Sequence, residues 1–141
     1  MGRLTLSFEV FGLPAPQGSK RCFNNRVVDA NSPKLKAWRK ATKEAAIEAL
    51  QNSEWAVFDE PVEITIKFYI PRGKTVKRDY PTTPPDLDKL VRSVFDSLTD
   101  AKAWSDDSQV CKLTAYKVYA DDRESGAYIE VRKYNEKVTK D

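Results

Sequence analysis

The chain has 141 residues, a formal net charge of +3 and a hydrophobic fraction of 40%. This length suits one domain, because two halves would be too small to bury adequate cores. We therefore expect a single domain over residues 1–141, with a frayed tail at 136–141. No stretch approaches the ~20 consecutive apolar residues that span a bilayer, and the first residues lack the apolar run of a signal peptide. The expected location is the cytoplasm, with no membrane partner.

The chain contains no histidine and only two cysteines, Cys22 and Cys111. The absence of histidine excludes catalytic triads that depend on imidazole, and it excludes histidine-ligated zinc. Two cysteines are too few for a cysteine-ligated zinc site. The remaining route to hydrolytic chemistry is a set of oxygen ligands around a hard cation such as Mg²⁺.

A strand and a basic loop are predicted at the start of the chain. Apolar residues alternate with polar ones from Leu4 to Val10, which is the pattern of a half-buried strand. Residues 14–31 are rich in Pro, Gly, Asn and Ser and predict a long surface loop. The basic residues of this loop are Lys20, Arg21 and Arg26.

The middle of the chain predicts a helix and then a strand. Ser32 and Pro33 supply a cap and a first-turn proline for a helix that ends near Ser53. Strict alternation from Val62 to Ile70 predicts a second strand, which Pro71 ends. A polar loop then follows, and its basic residues are Arg72, Lys74, Lys77 and Arg78.

The last part of the chain predicts a short helix and two strands. An apolar stripe indicates a helix over 88–98, and alternation indicates strands over Val110–Tyr119 and Ala127–Tyr134. The element order β-α-β-α-β-β predicts an α+β fold, in which two helices pack on one face of a single small mixed β-sheet.

Two pairs of aspartates flank the second predicted helix: Asp86 with Asp88, and Asp106 with Asp107. Each pair also has an ordinary explanation. An aspartate before a helix caps backbone N–H groups, and two aspartates before a strand form a common solvated turn. A cap uses one carboxylate, however, so the second member of the first pair is left over.

Helix geometry restricts how the two pairs can meet. A helix of eleven residues is roughly 16 Å long, so the strand after it begins far from Asp86 and Asp88. The pairs converge only if the connector 99–105 runs back along the helix or if a second subunit contributes. Counting by twos into the next strand favours Asp107 over Asp106 as the metal ligand, because Asp107 is in phase with the residues that face the helices.

Three motifs resemble one known family. Pro85-Asp86-Leu87-Asp88-Lys89-Leu90, Phe95-Asp96-Ser97-Leu98 and Trp104-Ser105-Asp106-Asp107-Ser108-Gln109-Val110 together resemble the RusA family of Holliday junction resolvases, found largely in bacteriophages and prophages. The resemblance implies a homodimer that makes paired, Mg²⁺-dependent nicks in a four-way DNA junction, with Mn²⁺ able to substitute. It places the metal-binding aspartates on Asp86, Asp88 and Asp107, with Asp106 as the neighbouring acid.

The chain departs from the family pattern at two cationic positions. Arg92 stands where the family has a lysine that helps catalysis, and Lys89 stands where asparagine is common. Because Lys89 and Arg92 are three residues apart on a helix, they project near one another, and either could supply the positive charge. A surface ion pair between Arg92 and Asp96 is the structural alternative for Arg92.

Three functions stay open at this point. The first is a structure-selective endodeoxyribonuclease, whose two basic loops would hold the phosphate backbone. The second is a non-catalytic protein that binds branched DNA, with the aspartates as caps. The third is a metal-dependent nuclease of other specificity, because carboxylate clusters recur in unrelated phosphoryl-transfer enzymes.

Overall fold

A computed structural model of the protein describes residues 4–18, 21–23, 26–28 and 32–135. The expected tail at 136–141 lies outside these residues. The elements in chain order are β1 (Thr5–Phe11), β2 (Arg21–Phe23), β3 (Arg26–Val28), α1 (Pro33–Gln51), β4 (Val62–Ile70), α2 (Leu87–Asp100), a 3₁₀ turn (Asp107–Gln109), β5 (Val110–Tyr119) and β6 (Gly126–Lys133).

Four strands form one mixed sheet in the order β1-β6-β4-β5. β6 runs antiparallel to both β1 and β4, whereas β5 runs parallel to β4. The predicted α+β fold is therefore confirmed. The prediction of an irregular loop over 14–31 was incomplete, because β2 and β3 form a separate antiparallel hairpin within it. Three-residue strands are too short to produce a clear alternating pattern.

One face of the sheet carries both helices, and the core lies between them. Every second residue of β4 from Val62 to Ile70 is buried on this face, because side chains alternate across a strand. Trp38 of α1 and Leu90 of α2 are also buried there. The Ser32 Oγ accepts a hydrogen bond from the Leu35 N–H at 3.1 Å, which confirms the predicted cap of α1. In the described part of the chain, no helix is long and apolar enough to cross a membrane.

The unit β4-α2-β5 determines where the two ends of α2 lie relative to the sheet. Since β5 is parallel to β4, the chain must return along the sheet between the two strands, and α2 makes this return. The first turn of α2 therefore lies near the carboxyl ends of β4 and β5. Its last turn lies near the beginning of β5, where α2 approaches the 3₁₀ turn.

The β1–β6 pair requires glycine at one position. Gly126 has a φ of 156°, and a Cβ placed on it would lie 2.0 Å from the Val10 carbonyl oxygen. A side chain there forces β1 away from β6 or twists the backbone, since L-residues rarely adopt this φ. The close approach of these two strands thus depends on residue 126 having no side chain.

We predict that Gly126→Ala lowers the free energy of unfolding by about 2 kcal/mol or more, because the methyl group overlaps backbone atoms that cannot move aside. Urea denaturation followed by circular dichroism measures the loss. Gly73→Ala is the matched control. Its methyl group would meet only the Val76 side chain, at 3.2 Å, and should cost less than about 1 kcal/mol. Equal losses in the two variants would contradict the close approach.

Candidate functional site

Two exposed carboxylates stand at the beginning of α2. Asp86 occupies the N-cap position, yet its side chain makes no capping hydrogen bond. Its Oδ2 instead lies 3.4 Å from the Lys89 Nζ. Asp88, in the first turn, makes no side-chain hydrogen bond or ion pair with any described residue. Capping therefore accounts for neither aspartate, and both carboxylates are available to a ligand.

A lysine from the neighbouring strand holds the segment that precedes α2. The Lys117 Nζ donates hydrogen bonds to the Thr83 carbonyl oxygen at 2.9 Å and to the Pro85 carbonyl oxygen at 2.7 Å. These bonds fix the backbone immediately before Asp86 against β5. The sequence does not predict this role of Lys117, since a single lysine in an edge strand looks like ordinary surface charge.

The second acidic pair lies in the 3₁₀ turn before β5. The Asp106 Oδ2 accepts a hydrogen bond from the Ser108 N–H at 3.0 Å, and the Gln109 side chain accepts one from the Asp106 N–H at 2.9 Å. Hydrogen bonds from the Ser108 side chain and backbone lower the pKa of Asp106. Asp107 is exposed, and its carboxylate has no hydrogen bond within the described chain. Asp106 thus organises the turn and leaves Asp107 as the available carboxylate.

The local structure at Asp107 differs from the strand on which the prediction of this ligand was based. That prediction counts alternation from Asp107 into the strand, but β5 begins only at Val110, after the 3₁₀ turn. Strand alternation therefore says nothing about residue 107. The preference now rests on the Asp106 carboxylate already being bonded within the turn.

Two tryptophans hold the connector between α2 and the 3₁₀ turn. The buried Trp104 donates from its Nε1 to the Thr99 Oγ1 at 2.8 Å and packs edge-on against Phe95. The Trp55 Nε1 donates to the Ala103 carbonyl oxygen at 2.7 Å. These contacts keep the connector at the end of α2, so it does not run back along the helix.

The two acidic pairs consequently stay at opposite ends of α2 within one chain. Asp88 shares a groove with Leu113 and Ala115 of β5, whereas Asp107 lines a depression with Asp96 and Asp106. Among the described residues, no group of three or more His, Cys, Asp or Glu side chains is arranged to hold a metal ion. Asp86 and Asp88 supply oxygen ligands of the kind Mg²⁺ prefers, but one chain gathers only part of the expected ligand set.

The Asp107 depression is strongly acidic and contains one arginine. Burial raises the pKa of Asp96, and the nearby charge of Asp107 raises it further. The Arg39 Nη2 lies 2.9 Å from the Asp100 Oδ2. Arg92 forms no direct ion pair with Asp96 among the described contacts, but its nearby positive charge acts to lower the pKa of Asp96.

Gln17, in the described part of the first basic loop, lies beside the start of α2. The Gln17 N–H donates to the Lys89 carbonyl oxygen at 3.0 Å, which attaches this loop to the helix turn that carries Asp86 and Asp88. Arg21 and Arg26 belong to the strands of the β2–β3 hairpin. Lys20 lies outside the described residues.

The second basic loop contains two arginines that make contacts within the described chain. Arg72 forms an ion pair with Asp121 at 2.8 Å, and its guanidinium lies 4.1 Å from the centre of the Tyr119 ring. The Arg78 Nη1 donates to the Tyr119 hydroxyl at 3.0 Å. Lys74 and Lys77 are exposed, so they are the cations of this loop best placed to meet a phosphate.

A basic stripe on α1 was missed by sequence analysis. Lys36, Lys40 and Lys43 line one shallow surface together with Arg39 and Asp100. Their spacing of four and three residues places them on one helix face, which is a signal the sequence does contain. The stripe lies beside the last turn of α2 and so next to the Asp107 depression, at the opposite end of α2 from the basic loops.

We predict that Lys117→Met loosens the segment before α2, because it removes two charge-assisted hydrogen bonds worth about 1 kcal/mol or more together. Hydrogen exchange measured by mass spectrometry should show faster exchange over residues 79–90. Lys112→Met, on the same strand but the opposite face, should leave this segment unchanged. Unaltered exchange in Lys117→Met would show that the two bonds do not hold the segment.

The chain is similar to known proteins over most of its length. Residues 12–132 match the endodeoxyribonuclease RusA family, a range that contains both acidic pairs and the helix between them. The chain is also 30% identical over 130 residues to the uncharacterized protein YqaN of Bacillus subtilis (strain 168), an alignment that covers 83% of this chain and 89% of that protein. The chain therefore belongs to the RusA endodeoxyribonuclease family.

Proposed function

We propose that this protein is a Mg²⁺-dependent endodeoxyribonuclease that resolves four-way DNA junctions by paired nicks. The observation that carries this proposal is the pair of exposed carboxylates on Asp86 and Asp88, which the fold leaves without capping bonds, inside a range that matches a nuclease family. The enzyme would act in the cytoplasm, in recombination, repair or phage DNA processing.

Asp86 and Asp88 of one chain would hold the cation together with Asp107 from the second copy of the homodimer, since within one chain Asp107 lies at the other end of α2. Asp106 would orient the turn that presents Asp107. When bound, Mg²⁺ supplies positive charge to the phosphodiester and lowers the pKa of a bound water, and Mn²⁺ can take the same oxygen ligands. The carboxylates alone repel a phosphate, so nearby cations must keep the backbone in place.

Lys89 and Arg92 would provide positive charge close to the scissile phosphate. The Lys89 Nζ already lies 3.4 Å from the Asp86 carboxylate, which places an ammonium beside a proposed ligand. Arg92 follows one turn later on the same side of α2 and is exposed. Its planar guanidinium can donate to two phosphate oxygens in a fixed fork geometry, whereas a lysine ammonium acts as a compact point charge.

The basic loops would hold the DNA arms on either side of this site. Lys74 and Lys77 are exposed on the loop that leads into Asp86, and the loop that carries Lys20, Arg21 and Arg26 is attached to Lys89 through Gln17. Contacts of this kind bind backbone phosphates without reading sequence. A homodimer would offer two sites to a junction that is itself nearly two-fold symmetric.

We predict that Asp86→Asn, Asp88→Asn and Asp107→Asn each lower cleavage of a four-way junction by about 100-fold or more, because each removes a charged metal ligand. Junction binding in Ca²⁺, measured by gel shift, should be retained. Asp122→Asn, an equal charge change in the β5–β6 turn, is the control.

Two results would reject parts of this proposal. A normal rate in Asp107→Asn would remove that residue from the ligand set. A wild-type protein that binds the junction but cuts nothing in Mg²⁺ would be a non-catalytic DNA-binding protein, and one that prefers flap or linear DNA would be a nuclease of other specificity.

We further predict that the double variant Lys74→Ala/Lys77→Ala weakens junction binding. The slope of log K against log salt concentration should also become less steep by about 1–2, because binding releases about one counterion fewer for each phosphate contact that is lost. Fluorescence anisotropy at several salt concentrations measures the slope. Lys67→Ala/Lys112→Ala, which removes the same charge from the uncovered face of the sheet, should keep the wild-type slope. Identical slopes in both double variants would mean that the loop lysines do not touch DNA.

A further inference from the structure

The basic stripe of α1, formed by Lys36, Lys40 and Lys43, consists of cations that the fold does not use. All three side chains are exposed, and none of them forms an ion pair or a hydrogen bond with a residue that the structure describes. Arg39 lies beside them and differs in this respect, because it forms an ion pair with Asp100. The contacts within the described chain therefore give the three lysines no structural role.

The distribution of charge along α1 opposes the stability of the helix. Lys36 lies four residues before Lys40, and Lys40 lies three residues before Lys43. Like charges at these spacings repel each other across one helix turn. The first turn contains Lys34 and no acidic residue, and the last turn contains no basic residue, which is the reverse of what the helix dipole favours. A bound polyanion would neutralise this repulsion, so the arrangement suits a ligand better than it suits the free protein.

The stripe is directly next to the Asp107 depression. The two surfaces share Arg39 and Asp100, whose ion pair at 2.9 Å joins α1 to the end of α2. The depression also contains Asp96 and Asp106, and these carboxylates repel a phosphate. Cations immediately beside the depression can hold a phosphate backbone against that repulsion, and the stripe supplies them.

The length of the stripe fits a run of backbone phosphates. Lys36 and Lys43 are separated by about 10 Å along the helix axis. Successive phosphates of one strand of B-DNA rise by about 3.4 Å along the duplex axis, so the stripe spans about three of them. The flexible lysine stems let each ammonium reach its own phosphate.

The surface around the stripe favours DNA over other anionic partners. Among the described residues of α1, no exposed one carries a large apolar side chain, because Leu35 and Trp38 are buried in the core. A helix that inserts into an anionic membrane needs an exposed apolar face, and protein partners are held mainly by aromatic and apolar anchors. A nucleic-acid backbone needs neither, since charge alone supplies its sequence-independent binding.

We propose that the basic stripe of α1 binds the phosphate backbone of unbranched double-stranded DNA and holds a duplex arm beside the Asp107 turn. This site is separate from the two basic loops, which lie at the other end of α2. The proposal rests on the proposed function for its ligand class, DNA, but the binding requires neither a metal ion nor cleavage. The protein would thus hold ordinary duplex DNA before it meets a branch.

The first test removes the charges of the stripe. Lys36→Gln/Lys40→Gln/Lys43→Gln keeps polar side chains of similar helix propensity. Fluorescence anisotropy with a linear duplex of about 20 base pairs in EDTA measures binding in the absence of cleavage. The dissociation constant should rise by about tenfold or more, and the slope of log K against log salt concentration should become less steep by about 2–3.

The matched control removes three lysines from the sheet. Lys67→Gln/Lys112→Gln/Lys133→Gln makes the same change in net charge on β4, β5 and β6. Its slope should stay within about 0.5 of the wild-type slope, because a change in net charge alone removes no phosphate contact. Circular dichroism checks that both triple variants are folded.

The second test uses wild-type protein and so does not depend on the folding of a variant. Lysine acetylation read by mass spectrometry should slow by about fivefold or more at Lys36, Lys40 and Lys43 when the linear duplex is bound, because phosphates cover the ammonium groups. Lys67 and Lys112 should keep their rates. Poly-glutamate serves as the probe for an acidic protein partner and should protect the stripe less than DNA does.

The cleavage step separates the stripe from the reacting phosphate. At saturating protein, the single-turnover rate of the stripe variant on a four-way junction should lie within about twofold of the wild-type rate, while more protein is needed for saturation. A much lower rate at saturation would place the stripe in the cleavage site itself and overturn its separate role.

The remaining outcomes distinguish this proposal from the function on which it rests. An unchanged salt slope in the stripe variant, equal acetylation with and without duplex, or stronger protection by poly-glutamate than by DNA overturns the duplex site, even if the protein cuts junctions. Wild-type protein that binds linear duplex through the stripe but cuts no branched DNA in Mg²⁺ would keep the duplex site and reject the nuclease function.

Discussion

The parallel pairing of β4 with β5 is the constraint on which the arrangement of this protein depends. Two neighbouring parallel strands cannot be joined by a tight turn, so α2 must carry the chain back along the sheet. A helix of fourteen residues spans about 21 Å. Functional groups before and after α2 are therefore separated by the length of the element that joins them.

Hydrogen bonding gives neighbouring aspartates different roles. Asp106 and Asp107 are adjacent in sequence, yet only Asp106 bonds to the Ser108 N–H and closes its turn. Asp86 stands where a cap is expected and instead faces Lys89. A carboxylate that is not needed to satisfy a backbone donor keeps its lone pairs for a ligand, so the hydrogen-bond assignment separates structural from functional aspartates better than position does.

Most of the fold could be predicted from the sequence, because the alternation in β1 and β4 and the apolar stripe of α2 are strong and regular. The β2–β3 hairpin could not, since its three-residue strands show no period. The acidic pairs were identified from their residue types and motifs, but their separation follows from the Trp55 and Trp104 contacts, which join residues 48 and 5 positions apart. Lys117 was missed because its role depends on a loop more than thirty residues away, and pattern analysis cannot detect such a pairing.

The tryptophan contacts also give the protein an internal optical reporter. Trp55 and Trp104 are both buried and both hold the connector through their indole N–H groups. Indole emission shifts to longer wavelength when the ring meets water, so a change in the position of the Asp107 turn alters fluorescence without any added label. Trp38, a residue of α1 that is also buried, contributes a background from the core. The connector can thus be followed in solution while DNA or a divalent cation is added.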